Sequence, residues 1–251
     1  MSEIVLDDVW IRQFVPAPTG ATPLVCFPHA GGSASYFRPL SQSLKNRARV
    51  LAVQYPGRQD RISHPFLTTI SEFADAAYTA LEPLLKEPVA FFGHSMGAAI
   101  AFEVTNRMRE RLGTAPSTLF VSGRRAPSRD RESRIHLLDD QGLVEVLRSQ
   151  SGTDARILED RDVLRMILPP LRADYTAIET YRYDPARPKL DCPVVALAGV
   201  DDETLTAEEA GAWAEHTTGP FTLETFTGGH FYLAEHIDEV AGVVDRELPR
   251  R

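Results

Sequence analysis

The sequence predicts an α/β fold in which helices flank a mostly parallel sheet. Two observations lead to this prediction. Short apolar segments that resemble strands alternate along the chain with segments whose apolar residues recur at helical spacing. In addition, the run Pro88–Phe92 has no polar face, which is typical of a central strand that helices cover on both sides.

The first half of the chain alternates between the two types of element. Apolar runs bounded by turn residues predict strands, and apolar residues three or four positions apart predict helices. In chain order these are the strands Trp10–Val15 and Leu24–Phe27, a helix Tyr36–Leu44, a strand Arg49–Gln54, an amphipathic helix Ile70–Leu85, the strand Pro88–Phe92, a helix Ala98–Leu112 that Gly113 ends, and a strand Leu119–Ser122.

The alternation stops between residues 124 and 188. Only two helices are predicted there, Asp139–Gln150 and Asp160–Tyr183, and Pro169-Pro170 interrupts the second. Strands return at Val194–Ala198 and Thr222–Phe226, with a helix Ala207–Glu215 between them and a final helix Ile237–Leu248. We interpret 124–188 as a helical lid inserted into a single domain that spans 1–251. Helices that simply pack on the sheet are the alternative.

Composition excludes several classes of function. The chain has 251 residues and a net charge of -8, which disfavours non-specific binding of nucleic acid. No apolar stretch approaches the roughly 18 residues of a membrane-spanning helix, and residues 1–10 lack the basic region and apolar run of an export signal. We therefore expect a cytoplasmic protein. We also expect it to be a monomer. Cys26 and Cys192 lie in apolar runs and are predicted to be buried free thiols.

A G-x-S-x-G pattern predicts the nucleophile. Gly93-His94-Ser95-Met96-Gly97 lies between the strand Pro88–Phe92 and a helix that begins with small residues. Glycines two positions either side of the serine permit the sharp turn that exposes its hydroxyl at the end of the strand, beside a helix N-terminus. The pattern in this setting predicts an α/β-hydrolase fold with Ser95 as nucleophile. We expect His94 to point away from the pocket and to have a structural role.

The predicted base and acid follow in the order that this fold requires, serine, then Asp or Glu, then His. His230 comes after the last strand, behind two glycines that allow a tight turn. Asp201 and Asp202 both follow the strand Val194–Ala198, so either can orient the histidine. With Ser95, such residues form the proton-transfer chain of a serine hydrolase, which needs no metal and no cofactor.

A glycine-rich loop predicts an oxyanion hole. Gly31 and Gly32 follow the strand Leu24–Phe27 and allow the chain to turn back beneath the nucleophile. The backbone amides of Ala30 and Met96 are the expected donors to the oxyanion. A phosphate-binding loop is the alternative, but the Lys-Ser/Thr ending of a P-loop is missing.

Taken together, several segments resemble the stand-alone type II thioesterases of polyketide synthases and nonribosomal peptide synthetases. The resemblance spans residues 9 to 248 and rests on the runs Phe27–Ser33, Gln54–Arg58, Gly93–Ala98, Ala101–Glu103 and Gly228–Phe231. It implies hydrolysis of acyl groups from the phosphopantetheine arm of a carrier protein, which clears stalled chains. It also implies that 124–188 is a mobile lid.

The resemblance matches Ser95, Asp202 and His230 to the triad, and Ala30 and Met96 to the oxyanion pair. The acid loop departs from the family pattern Gly-Asp-x-Asp-Pro, because Val200 and Glu203 replace its first Asp and its Pro. Because the loop departs from the family pattern at these two positions, Asp201 remains an alternative to Asp202 as the acid of the triad.

The implied partner is an acyl or peptidyl carrier protein, and carrier proteins are usually acidic. The arginines near the start of the insert are therefore a hypothetical docking patch, with a solvated loop as the alternative; they are Arg124, Arg125, Arg129, Arg131 and Arg134. Competing functions on the same fold are a carboxylesterase or lipase, an acyltransferase, and a catalytically inactive binding module.

Overall fold

The computed structural model describes residues 7–129, 131–149 and 157–249. Residues 1–6, which belong to the segment that lacks an export signal, lie outside these residues. Gln150, the predicted end of a helix, lies outside them too. Within them, seven strands form one sheet. They are β1 (Ile11–Arg12), β2 (Thr22–Phe27), β3 (Ala48–Val53), β4 (Ala90–His94), β5 (Leu119–Ser122), β6 (Val194–Gly199) and β7 (Phe221–Phe226).

The strand order is β1-β3-β2-β4-β5-β6-β7. Every neighbouring pair is parallel except β1 with β3, which is antiparallel at the edge. The predicted mostly parallel sheet is therefore confirmed. Strand β1 is shorter than the predicted Trp10–Val15, because only Ile11 and Arg12 pair with β3 before the chain leaves the sheet ahead of Pro16.

Helices cover both faces of the sheet, and each face has its own apolar core. The α-helices are α1 (Arg38–Ser43), α2 (Ile70–Leu81), α3 (Met96–Leu112), α4 (Asp140–Ser149), α5 (Arg161–Thr180), α6 (Ala207–Gly211) and α7 (Ile237–Glu247). Residues from α2, α3 and α5 bury in one core, and residues from α1 and α7 bury in the other. The sheet is thus buried on both sides, as its apolar strands require.

Helix α2 begins at Ile70 as predicted but ends at Leu81, short of the predicted Leu85, and other helices also differ from their predictions. Helix α2 begins at a capping box in which Thr69 and Glu72 satisfy each other's backbone N–H groups. Helix α5 continues through Pro169 and Pro170, where an interruption was predicted. Prolines remove backbone donors from a helix, so tertiary contacts must hold α5 together there. Helix α3 begins at Met96, directly after the serine, two residues earlier than predicted.

Both cysteines are buried and unbonded, as predicted. Burial raises the pKa of the Cys192 thiol to about 12, so it stays protonated and unreactive. No helix in the described parts of the chain combines the length and apolar character needed to cross a membrane.

Candidate active site

Ser95 occupies a strained turn between β4 and α3. Its φ of 55° and ψ of -117° lie where side chains with a Cβ are rarely found. The turn is held by the Ser95 N–H, which donates to the carbonyl of Ser122 at 2.8 Å. A Cβ on Gly97 would lie 1.9 Å from the Phe27 carbonyl oxygen, so only glycine fits there. The packing of the turn against β2 thus explains why the motif has a glycine two positions after the serine.

The structure brings Ser95, His230 and Asp202 together from the ends of three parallel strands. His230 Nε2 lies 2.9 Å from Ser95 Oγ. On the other side of the ring, His230 Nδ1 lies 2.7 Å from Asp202 Oδ2. These contacts form a continuous hydrogen-bonded chain, although the three residues are far apart in sequence. Such a chain can move a proton from the serine to the imidazole.

Asp202 rather than Asp201 contacts the histidine. The Asp201 carboxylate accepts the Gly228 N–H at 3.1 Å, and the Asp201 N–H donates to the Gly228 carbonyl at 3.0 Å. Asp201 therefore ties the loop after β6 to the loop after β7, which carries His230. The aspartate that the sequence left in contention has a structural contact instead.

Thr204 is a site residue that sequence reasoning missed. Its N–H and hydroxyl both donate to Asp202 Oδ1, at 2.8 and 2.7 Å. The same hydroxyl lies 3.2 Å from His230 Nδ1. A hydroxyl residue two positions after an aspartate was the available signal, because such residues commonly hydrogen-bond the preceding side chain in a turn.

The Asp202 carboxylate is held in its charged form. Burial alone would raise its pKa, but the hydrogen bonds from His230 and Thr204 outweigh burial and keep the pKa below its usual range. An ionised carboxylate on Nδ1 favours the tautomer whose Nε2 can accept a proton from Ser95.

His94 packs behind the site. It is fully buried, and its Nδ1 lies 2.9 Å from the Ser122 hydroxyl, which contacts the Tyr232 hydroxyl at 2.6 Å. Burial holds the pKa of His94 well below 6.5, with the neighbouring His230 adding to the effect. His94 is therefore neutral at physiological pH, and its Nδ1 faces the Ser122 hydroxyl of β5. The structure agrees with the structural role expected for it.

A cavity of about 580 Å³ opens over Ser95 and His230. Ala30 and Met96 both line it, and Met96 is the first residue of α3, whose N–H has no partner within the helix. The two expected oxyanion donors therefore lie beside the serine, and their role stays a prediction. Among the described residues, no group of His, Cys, Asp or Glu side chains is arranged to hold a metal ion.

The insert forms the opposite wall of the cavity through α5. Tyr175, Ile178 and Glu179 of α5 line it. Glu179 also accepts the backbone N–H groups of Ile135 and His136, at 2.9 and 3.0 Å, which fastens the segment before α4 to α5. The predicted helices are thus packed against one another above the site, and the mobility of the insert stays a prediction.

Four of the five arginines in the hypothetical docking patch line the cavity. Arg129 is paired with Glu215, and Arg131 with Glu209. These pairs reduce the positive charge that the patch offers to a partner. Any attraction for an acidic protein is therefore weaker than the sequence suggests.

Comparisons with known proteins agree on one family. Residues 22–248 match the model of the thioesterase domain. The chain is 48% identical to thioesterase PikA5 of Streptomyces venezuelae, over 96% of this chain and 85% of that one. It is 50% identical to a probable cadicidin biosynthesis thioesterase of Streptomyces griseus over 92% of its own length, and spans 63% of that relative.

Solved structures lead to the same result. The type II thioesterase BorB from the borrelidin biosynthetic cluster superposes with a TM-score of 0.90 at 50% identity, over 98% of this chain and 100% of that one. The thioesterase RedJ from the prodiginine pathway of Streptomyces coelicolor superposes with a TM-score of 0.87 at 39% identity, over 93% of each chain. The α/β-hydrolase fold predicted from the sequence is confirmed by this likeness.

Proposed function

The chain belongs to the thioesterase family, and on that basis we propose that it is an editing enzyme that hydrolyses acyl groups from the phosphopantetheine arm of carrier proteins. Ser95 is the nucleophile, His230 the general base and Asp202 the residue that orients the histidine. The observation that carries the proposal is the hydrogen-bonded chain from Ser95 Oγ through His230 to Asp202, at 2.9 and 2.7 Å, at the base of the cavity.

Acylation begins as Ser95 Oγ attacks the thioester carbonyl carbon while His230 Nε2 takes the hydroxyl proton. The carbonyl oxygen becomes an oxyanion, which accepts hydrogen bonds from the Ala30 and Met96 amides. The tetrahedral intermediate then collapses, the carbon–sulfur bond breaks, and His230 returns the proton to the leaving thiolate. The acyl group is left as an ester of Ser95.

Deacylation repeats these steps with water. His230 removes a proton from water as its oxygen attacks the ester, and the second oxyanion uses the same two amides. Collapse breaks the bond to Ser95 Oγ, and the proton on His230 restores the serine hydroxyl. In both half-reactions Asp202 stabilises the imidazolium through its 2.7 Å contact with Nδ1.

Two further observations support a carrier-bound substrate. Relatives are described as type II thioesterases or as biosynthetic thioesterases, including BorB and the cadicidin protein. Ser95 also lies within a cavity walled by α5. A substrate on a long flexible arm can reach such a serine while its carrier protein stays at the surface.

The test is release of acyl groups from a panel of acyl-carrier proteins, comparing the wild type with Ser95→Ala. We expect release by the wild type only, with short chains released fastest. Failure to release any chain, together with efficient cleavage of simple oxygen esters, would instead indicate a carboxylesterase. Transfer of the acyl group to an added alcohol or amine in place of water would indicate an acyltransferase.

Docking of the carrier is tested by reversing charge at the patch. The double variant Arg124→Glu/Arg131→Glu should raise KM for acyl-carrier protein and leave a small acyl thioester unaffected. Arg246→Glu is a matched control, since Arg246 is also an exposed arginine in ion pairs, with Glu224 and Glu247. Equal effects of the double variant on both substrates would remove the patch from the proposal.

A further inference from the structure

A buried ion pair joins the insert to the segment after β3, beside the loop that carries Ala30. Arg58 is 7% exposed and Asp174 of α5 is 0% exposed. Two hydrogen bonds connect them, from Arg58 Nη1 to Asp174 Oδ2 at 2.7 Å and from Nη2 to Oδ1 at 2.8 Å. The pair is not part of the hydrogen-bonded chain from Ser95 through His230 to Asp202, so the proton transfers described above leave it without a role.

Both partners also bind the backbone of the loop. Asp174 Oδ2 accepts the Gly31 N–H at 2.7 Å, and Arg58 Nη1 donates to the Gly32 carbonyl at 3.0 Å. The Gly31 N–H belongs to the peptide group that follows Ala30 directly. Fixing this peptide plane restricts the backbone rotation of Ala30, the residue whose own N–H is the expected oxyanion donor.

Packing against α5 leaves this loop little room to adjust. Gly31 has a φ of +73°, and a Cβ there would lie 2.8 Å from Leu171 Cδ1 of α5. On the far side of the loop, the Tyr55 hydroxyl donates to the Pro28 carbonyl at 3.3 Å. The loop is therefore held between α5 and the segment after β3, with the ion pair at the junction of all three.

Stability alone is a weak explanation for such a pair. Removing two charges from water costs free energy that their attraction often only balances, so apolar residues of similar volume can be equally stabilising. A bidentate arginine–carboxylate pair provides directional hydrogen bonds that apolar residues cannot. Here both partners also hydrogen-bond the backbone of two consecutive residues in the loop after β2, at the Gly31 N–H and the Gly32 carbonyl.

We propose that Arg58 and Asp174 are positioning residues that hold the Ala30 N–H toward the developing oxyanion, and that they make the seating of α5 a condition for an intact oxyanion hole. This inference rests on the proposed function, in which Ala30 is an oxyanion donor. It also gives a function in the reaction to Arg58, the last residue of the family-like run Gln54–Arg58.

The experiment uses Arg58→Lys, Asp174→Asn and the double variant Arg58→Met/Asp174→Leu. Lysine keeps the charge but lacks the planar fork, and asparagine keeps the shape but not the charge. The double variant leaves no unpaired buried charge, so it keeps the test valid should a single variant fail to fold. Arg107→Met is the control, because Arg107 is 7% exposed and ion-paired with Glu103 but lies away from the loop.

Two readouts separate positioning from stability. The first is kcat and KM for a short acyl thioester, normalised to folded protein. The second is the inhibition constant of a trifluoromethyl ketone analogue, whose adduct with Ser95 carries an oxyanion. We expect kcat to fall by about 10²-fold or more, the effect of losing one oxyanion donor, with KM nearly unchanged. The inhibition constant should rise in parallel.

The outcomes distinguish the two proposals. Folded Arg58 and Asp174 variants that keep wild-type kcat and bind the analogue as tightly would overturn the inference, with Ser95→Ala still inactive. A Ser95→Ala enzyme that remains active would overturn the proposed function itself. A fall in kcat of the same size in Arg107→Met would attribute the effect to general destabilisation and would also overturn the inference.

Discussion

Replacing Asp202 by asparagine tests the proton-transfer chain most directly, because Thr204 dictates how the new amide must lie. The Thr204 N–H and hydroxyl donate to Oδ1 at 2.8 and 2.7 Å. Two donors at this position require the amide oxygen, so the amide NH₂ must take the place of Oδ2. It then faces His230 Nδ1, 2.7 Å away from Oδ2 in the wild type.

The consequence is the wrong tautomer of the histidine. With an NH₂ group as neighbour, Nδ1 must accept a hydrogen bond, so the ring proton moves to Nε2, which can then no longer take the proton of Ser95. A triad histidine held in the wrong tautomer loses activity by about 10⁴-fold, or about 5 kcal/mol of transition-state stabilisation. We expect a loss of that order in kcat/KM for Asp202→Asn.

Asp202→Ala should keep at least as much activity as Asp202→Asn. Alanine imposes no donor on Nδ1, and the Thr204 hydroxyl, 3.2 Å away, can accept the Nδ1 proton. Asp201→Asn is the matched control, since the Asp201 carboxylate accepts the Gly228 N–H, whereas the contact with the histidine ring comes from Asp202. We expect it to lose less than about tenfold, in keeping with a residue outside the triad.

The assay is hydrolysis of a short acyl thioester, followed by detection of the released thiol, with unfolding curves to establish that each variant is folded. A loss below tenfold for Asp202→Asn, or an equal loss for Asp201→Asn, would refute the assignment of Asp202. Greater activity in the asparagine variant than in the alanine variant would refute the argument from Thr204.

Three further predictions concern the turn at Ser95, two glycines in different surroundings, and the buried His94. Ser95→Gly should unfold at higher denaturant than Ser95→Ala, because glycine relieves a φ of 55° that costs about 1–3 kcal/mol, while both variants are inactive. Gly97→Ala should reduce activity and stability sharply, because its Cβ has no space. In Gly242→Ala of α7 the new Cβ meets no atom within 4 Å, so this variant should raise the free energy of unfolding, measured with denaturant, by about 0.5–1 kcal/mol. Acid should destabilise the wild type more than His94→Gln. Burial holds the pKa of His94 well below 6.5 in the folded protein, so only the unfolded chain takes up this proton below pH 6.5. The stability from His94 is present above that pH and is lost as pH falls, by about 1.4 kcal/mol per pH unit. Unfolding curves measured between pH 7 and 5 test this, and an equal dependence of the free energy of unfolding on pH in the two proteins would contradict it.

Predictions from the sequence succeeded where the signal is local. The strand before the serine, the helix after it and the glycines around it are encoded within a dozen residues, and the structure shows β4, the strained turn and α3 in that order. The continuous hydrophobicity of the central strands likewise predicts a sheet covered on both faces. The order of residues that the fold requires pointed to His230, and its Nε2 lies 2.9 Å from Ser95 Oγ; its role as base stays a prediction.

Sequence reasoning failed where distant segments decide the local structure. Two consecutive prolines predict a break, yet α5 continues through them while Leu171 packs against Gly31 and Asp174 pairs with Arg58. Such contacts outweigh the loss of backbone hydrogen bonds within the helix. The sequence around the two prolines contains no pattern that predicts contacts with Gly31 and Arg58.

By itself, then, the sequence determined the order of elements and predicted Ser95 as nucleophile and His230 as base, because backbone periodicity and turn chemistry act over a few neighbouring residues. Only the tertiary structure decided which of the adjacent, chemically identical residues Asp201 and Asp202 contacts His230. The loops turn Asp202 toward the histidine ring and Asp201 toward the Gly228 N–H. Only the tertiary structure, too, joined Arg58 to Asp174 across 116 positions. The reason is physical: the direction of a side chain at a loop and the pairing of two buried charges depend on how all the elements pack, and that information is not carried by either residue's neighbours in sequence.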